Sequence, residues 1–174
     1  MRLVTFSYRN LPPHIGLAIG DWKKWEYIID LNNAAQKEGL KNFPMDMVEF
    51  IELCGEFKGE IWNFASQINS EAKNFIKKYQ SEVQNKIVYK PEEIKLLAPL
   101  QPRLLRDFIA FRGHIKRTRA NRGMPVAKEW DYLPAYYNGN NLTVIGPDED
   151  VEYGQYLLAQ DGQIKKFKTE KLDY

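Results

Sequence analysis

The period of the hydrophobic pattern changes within the N-terminal half of the chain, and this change limits the fold more than any other feature. Residues 2–8 alternate between apolar and polar and are rich in strand-forming types, and a second apolar run follows at 15–19. The break at Asn10-Leu11-Pro12-Pro13 predicts a hairpin, and a third short strand is expected at 27–30. We therefore expect the chain to open with a small antiparallel sheet.

Beyond the first strands the apolar residues recur at helical spacing. Between residues 57 and 79 the spacing of three and four predicts one long amphipathic helix. Its apolar stripe consists of Phe57, Ile61, Phe64, Ala65, Ile68, Ala72, Phe75, Ile76 and Tyr79. Shorter helices are expected at about 31–38 and 45–53. The predicted class is α+β, with helices segregated from a small N-terminal sheet.

A boundary between two domains is predicted near residues 90–100. A polar stretch and Pro91 precede an expected strand at 94–99, which gives an N-terminal α+β domain at 1–95 and a second domain at 96–174. In the second domain, one short helix with an apolar and a basic stripe should end near Gly123 and Pro125. Short strands are expected after it at 133–137, 142–145 and 153–158.

Composition limits the function classes. With 174 residues, 44% of them hydrophobic, the chain can bury a core, and its 25 Lys and Arg against 23 Asp and Glu give a net charge of +2, too small for a dedicated nucleic-acid or membrane-surface binder. No stretch approaches the length of a signal peptide core or a membrane span, so we expect no membrane partner and a cytoplasmic location. The single cysteine, Cys54, is expected to be a buried apolar residue and not a nucleophile.

Asp107 and His114 are the first pair that could carry chemistry. On one continuous helix, a spacing of seven residues would place them on one face, roughly 10 Å apart, with room for a metal ion and a small substrate. A helix cap and a surface histidine are the ordinary alternative. His14, in the predicted hairpin loop, is a weaker candidate, and one Cys with two distant His gives no zinc site.

A basic run follows this pair, formed by Arg112, Lys116, Arg117, Arg119 and Arg122. Arginine suits a carboxylate because its planar fork donates two parallel hydrogen bonds. The same run could bind a phosphate backbone, although the near-neutral net charge argues against a nucleic-acid partner. A solvated helix face is the default for most of these side chains.

The longer pattern resembles the fumarylacetoacetate hydrolase family. Five separated blocks carry the resemblance in the order of the family, namely Arg106-Asp107-Phe108-x-Ala110-Phe111-x-x-His114, Arg119-Ala120-Asn121-Arg122-Gly123, Pro134-Ala135-Tyr136-Tyr137-Asn138-Gly139, Val144-Ile145-Gly146-Pro147 and Leu172-Asp173-Tyr174. Residues 1–100 also look like the N-terminal region of its longer members. The resemblance identifies 96–174 as the incomplete start of a mixed-β catalytic domain.

The resemblance implies a divalent-metal enzyme that hydrolyses a C–C bond in a small 1,3-dicarbonyl oxo acid. Asp107 matches a carboxylate ligand of Mg²⁺ or Ca²⁺, and His114 matches the general base that activates water. Tyr137 matches a substrate-contacting tyrosine, and either Arg122 or Arg119 matches the substrate arginine. Ile109 stands where members that cleave fumarylacetoacetate have a tyrosine, which leaves the substrate open.

In the family the Leu-Asp-Tyr block leads into a Glu-x-Glu pair that supplies two further metal ligands. The chain lacks that pair, so we expect it to bind metal weakly and to be inactive alone. Its expected partners are a small oxo acid and either the missing C-terminal segment or a second copy in a homodimer. The alternatives are a non-catalytic remnant that acts as an interaction module, or decarboxylase, isomerase or hydratase chemistry.

Overall fold

A five-stranded antiparallel sheet forms the centre of the N-terminal region. The computed structural model describes residues 1–21, 23–151, 155–160 and 163–168. The strands of the sheet are β1 Leu3–Ser7, β2 His14–Gly20, β3 Trp25–Asp30, β4 Val88–Tyr89 and β5 Lys95–Leu96. They lie in the order β4-β3-β2-β1-β5. The predicted hairpin is confirmed, because β1 pairs antiparallel with β2 and places Leu3 opposite Leu17.

The sheet buries apolar side chains on both faces because successive residues of a strand point to opposite sides. On one face Ile15, Leu17 and Ile29 belong to the larger core, which the helices cover. On the other face Phe6 and Ile28 belong to a smaller cluster, together with Val4, Ala18 and Tyr89.

Four helices lie between β3 and β4 along the chain, and a fifth lies beyond residue 100. They are α1 Leu31–Glu38, α2 Met47–Leu53, α3 Glu60–Ser70, α4 Ala72–Tyr79 and α5 Arg112–Ala120. The short helices expected at 31–38 and 45–53 are confirmed. The carboxylate of Asp30 accepts a hydrogen bond from the backbone N–H of Asn33 and so caps α1, and Gly39 ends it in the left-handed conformation.

The prediction of one long helix at 57–79 is wrong. Glu71, with φ −102° and ψ 18°, separates α3 from α4, and Phe57 lies before α3 at φ 53°. Ile68 on α3 and Ile76 on α4 both belong to the larger core. The bend at Glu71 allows both apolar stripes to follow the same core, which a straight helix could not do.

The strand expected at 94–99 is reduced to β5. Leu96 pairs with Phe6 of β1, and the chain stays attached to the sheet because Leu97 N donates to Thr5 O at 2.9 Å and Thr5 Oγ1 donates to Pro99 O at 2.6 Å. The predicted boundary between residues 95 and 96 falls within this strand, and the division into two domains stays a prediction.

Two separate strand pairs are described beyond residue 100. They are β6 Leu105–Phe108 with β7 Tyr136–Gly139, and β8 Gln155–Gln160 with β9 Gln163–Lys168. The strand expected at 142–145 is wrong, since Asn141–Thr143 form a 3₁₀ turn. The strand expected at 153–158 overlaps β8, although Tyr153 and the Leu172-Asp173-Tyr174 block lie outside the described residues.

The end of α5 confirms the predicted stop at Gly123. Gly123 adopts φ 65°, its N–H donates to Ala120 O at 2.9 Å, and Met124 N donates to Arg119 O at 3.0 Å. This pair of bonds satisfies the last carbonyls of the helix. The molecule is thus α+β as predicted, and in its described part no helix is long and apolar enough to cross a bilayer.

Candidate functional site

Asp107 and Tyr137 lie directly opposite each other in the strand pair β6–β7. The register joins Asp107 to Tyr137 and Phe108 to Tyr136. Side chains directly opposite in an antiparallel pair share one face, with Cβ atoms about 4.5–5.5 Å apart. The fold therefore brings together the carboxylate and the tyrosine that sequence reasoning selected, although 30 residues separate them along the chain.

His114 lies on a different element from Asp107, so the arrangement on one continuous helix is wrong. Asp107 belongs to β6 and His114 to the first turn of α5, and Ile109, Ala110 and Phe111 connect the two. The backbone of Phe111 is still extended, at φ −105° and ψ 113°, and the helix starts at the next residue. The side chain of His114 is exposed.

An open hollow of about 500 Å³ lies at the end of the β6–β7 pair. Phe108 and Ile109 line one side of it, and Trp130, Asp131 and Leu133 line another. Ile109 N donates to Ala135 O at 3.2 Å, which holds the two sides together. Ile109 occupies this wall as an apolar side chain, at the position where the resemblance would place a tyrosine hydroxyl.

An ion pair holds the segment after α5 against Arg112, the first residue of that helix. Arg112 Nη1 donates to Asp131 Oδ1, and the Arg112 guanidinium carbon lies 5.8 Å from the ring centre of Trp130. Sequence reasoning did not select Trp130 or Asp131, because nothing in their local pattern shows that they face the hollow.

Of the two candidate substrate arginines, Arg119 lines a cavity. Arg119 and Ile115 lie one turn apart on α5 and border a second hollow of about 190 Å³, which Trp130 and Pro134 also line. Arg122 is exposed, two residues past the end of the helix. The assignment of the substrate arginine stays a prediction.

The described residues do not fit the Mg²⁺ or Ca²⁺ ion that the resemblance implies. Both ions take six or more oxygen ligands, usually several of them carboxylates. The described part of the chain contains no group of three or more His, Cys, Asp or Glu side chains that could hold a metal. Asp107 alone, exposed on β6, cannot compete with water for either ion.

A second carboxylate–histidine pair lies in the N-terminal sheet, where sequence reasoning gave His14 little weight. His14 Nδ1 lies 2.7 Å from Asp30 Oδ2, and Asp30 is fully buried. The hydrogen bond to Asp30 raises the pKa of His14 above its ordinary value, against the opposing effect of burial. Because Asp30 also caps α1, this pair joins strand β2 to the start of a helix.

Cys54 is buried, as expected. It is 6% exposed and packs in the larger core. Burial raises the pKa of its thiol, which disfavours the reactive thiolate.

No family model matches the chain, and no curated protein matches it. The resemblance to fumarylacetoacetate hydrolases therefore rests on the motif residues alone.

Proposed function

We propose that the chain is the N-terminal part of a fumarylacetoacetate-hydrolase-like enzyme, with residues 105–137 as part of a site for a small oxo acid. The observation that carries the proposal is the register of β6 and β7, which sets Asp107 opposite Tyr137. The next residues of the same segment, Phe108 and Ile109, line the hollow together with Trp130. Residues in two of the five motif blocks thus meet in space. In this proposal the protein is cytoplasmic.

Each side chain has a distinct task in the proposed hydrolysis. Arg119 or Arg122 pairs with the substrate carboxylate and orients it, and Tyr137 donates a hydrogen bond to a substrate oxygen. His114 accepts a proton from the attacking water. The water oxygen bonds to a carbonyl carbon, the C–C bond beside it breaks, and the released carbon takes up a proton, giving a carboxylic acid and a ketone.

The chain alone should bind the substrate weakly and leave it intact. We expect no release of product from a 2,4-dioxo acid in the presence of Mg²⁺ or Ca²⁺, because the described residues do not hold either ion. Calorimetric titration should give no tight site for either metal. One tight metal site per chain would contradict this part of the proposal.

Matched variants test the proposed substrate contacts. Binding of a 2,4-dioxo acid, followed by amide shifts at β6 and β7, should weaken about fivefold in Tyr137→Phe and in Arg119→Gln or Arg122→Gln, because each variant loses one hydrogen bond or ion pair. Arg117→Gln is the control, since its side chain is exposed and it is not assigned to the substrate. Equal weakening in the control, or no shifts at β6 and β7, would remove the proposal.

A further inference from the structure

Large apolar side chains are exposed around the strand pair β6–β7, which we name the ribbon. Leu104 is 56% exposed, Phe111 79% and Tyr132 85%. The other exposed apolar residues of this surface are Leu105, Phe108, Ile109, Leu133, Tyr136 and Tyr137. Many exposed apolar side chains around one strand pair are typical of a contact site.

The backbone of β6 is also without a neighbour on its outer side. Along an antiparallel pair, residues that hydrogen-bond to the partner strand alternate with residues whose N–H and C=O groups point outward. Ile109 N donates to Ala135 O, so the N–H and C=O groups of Arg106 and Phe108 point away from β7. No third strand pairs with β6 among the described residues. Two strands alone are marginally stable in water, and an open edge is a template for another strand.

The segment that contains β6 and α5 is strongly basic, and this charge indicates the chemistry of a partner. Residues 103–122 contain seven basic side chains and one acidic one, Asp107. In the described part of the chain, Arg103 pairs with Glu52 and Arg112 pairs with Asp131. The other five have no carboxylate within ion-pair distance there, namely Arg106, Lys116, Arg117, Arg119 and Arg122.

We propose that β6 is the docking edge for an acidic, strand-forming polypeptide segment, which adds to the ribbon as a third strand. Its backbone pairs with Arg106 and Phe108, its apolar side chains cover the exposed surface, and its carboxylates meet the basic residues. A second copy of the chain would bring the same basic segment, residues 103–122, to the contact and is disfavoured. A nucleic acid has no strand to offer and would leave Leu104 and Leu105 exposed. This inference does not depend on the proposed hydrolysis.

Synthetic peptides test the charge and the strand addition separately. An eight-residue peptide that alternates Val or Ile with Glu should bind the full chain, and the same peptide with Lys for Glu should bind at least about tenfold more weakly. N-methylation of the peptide amides that face β6 should abolish binding, whereas methylation of the alternate amides should not. Equal binding of the Glu and Lys peptides, or indifference to the methylation pattern, would overturn the proposal.

Hydrogen exchange and two proline variants identify the edge. The bound peptide should slow exchange of the Arg106 and Phe108 amides, and protection of Tyr136 and Asn138 instead would overturn the assignment to β6. Phe108→Pro should abolish binding, because it removes an outward N–H, while the matched Tyr136→Pro, which alters the outer edge of β7, should retain it. Self-association of the chain that masks the ribbon, or preferential binding of an oligonucleotide, would also overturn it.

Discussion

The two described regions on either side of residue 100 differ in where they keep their apolar side chains. Among the residues whose burial the structure describes, 23 hydrophobic residues are buried and only Ile115 of these lies beyond residue 100, whereas 13 of the 20 exposed large hydrophobic residues do. The N-terminal region hides its apolar surface in a core of its own. The second region places much of it in water, and a segment of that kind depends on additional contacts for its stability.

Among the described residues, few contacts attach the second region to the first. Lys95 Nζ lies 2.7 Å from Glu149 Oε1, and Arg103 Nη2 lies 3.1 Å from Glu52 Oε1. At Gly146 the backbone approaches β5 so closely that a Cβ would lie 2.6 Å from Leu96 O. These contacts involve few residues and are largely polar. We therefore expect most of the free energy of unfolding to come from the N-terminal region.

A pair of phenylalanine variants gives the strongest test of this comparison. Phe50→Ala should lower the free energy of unfolding by about 3–5 kcal/mol, because Phe50 is 1% exposed in the larger core. Phe111→Ala should change it by less than about 0.5 kcal/mol, because the ring is largely in water. Urea unfolding followed by circular dichroism measures both. A cost for Phe111→Ala close to that for Phe50→Ala would contradict the division.

A pair of aspartate variants tests the N-terminal region at the caps of helices α1 and α2. Asp30 and Asp46 both cap helices, the first accepting from Asn33 N and the second from Glu49 N, each at 2.9 Å. Asp46→Ala should cost about 1 kcal/mol, as an exposed cap does. Asp30→Ala should cost about 2–4 kcal/mol, because it also leaves His14 without its buried partner. Equal costs would show that the contact with His14 contributes nothing.

The sequence was sufficient to predict the elements whose signal is local. The alternation at 2–8 and the apolar run at 15–19 predicted β1 and β2, and the change to a helical pattern after residue 30 predicted α1. The bend at Glu71 was missed because the apolar spacing continues through it, and only the shape of the core requires two helices. The extent of β5 was overestimated because its length depends on β1, its partner.

The candidate site was predicted less completely, because its geometry depends on strand pairing. The motif residues Asp107 and Tyr137 were selected, yet their contact follows from the register of β6 with β7, which no local pattern encodes. The contact of His14 with Asp30 likewise follows from the pairing of β2 with β3, where Asp30 lies opposite Gly16. Arg119, by contrast, lies one turn after the apolar Ile115, and that spacing could have placed it beside a cavity.

The smallest expected effect is a pH dependence that belongs to the N-terminal region alone. The pKa of His14 is raised in the folded protein by its hydrogen bond to Asp30. The stability that protonated His14 contributes is therefore complete below its unfolded pKa of about 6.5 and is lost as the pH rises through the folded pKa. The free energy of unfolding should fall across that interval and then level off.

Urea unfolding at several pH values, with an NMR titration of the His14 ring, measures this dependence. His14→Asn should remove the slope, because the amide can donate to Asp30 but does not titrate. His114→Asn should preserve it, since His114 is exposed on α5 in the second region. If the slope persisted in His14→Asn, or disappeared in His114→Asn, His14 would not be the source of the pH dependence. The contrast between a self-contained N-terminal core and a dependent second region would then lose this support.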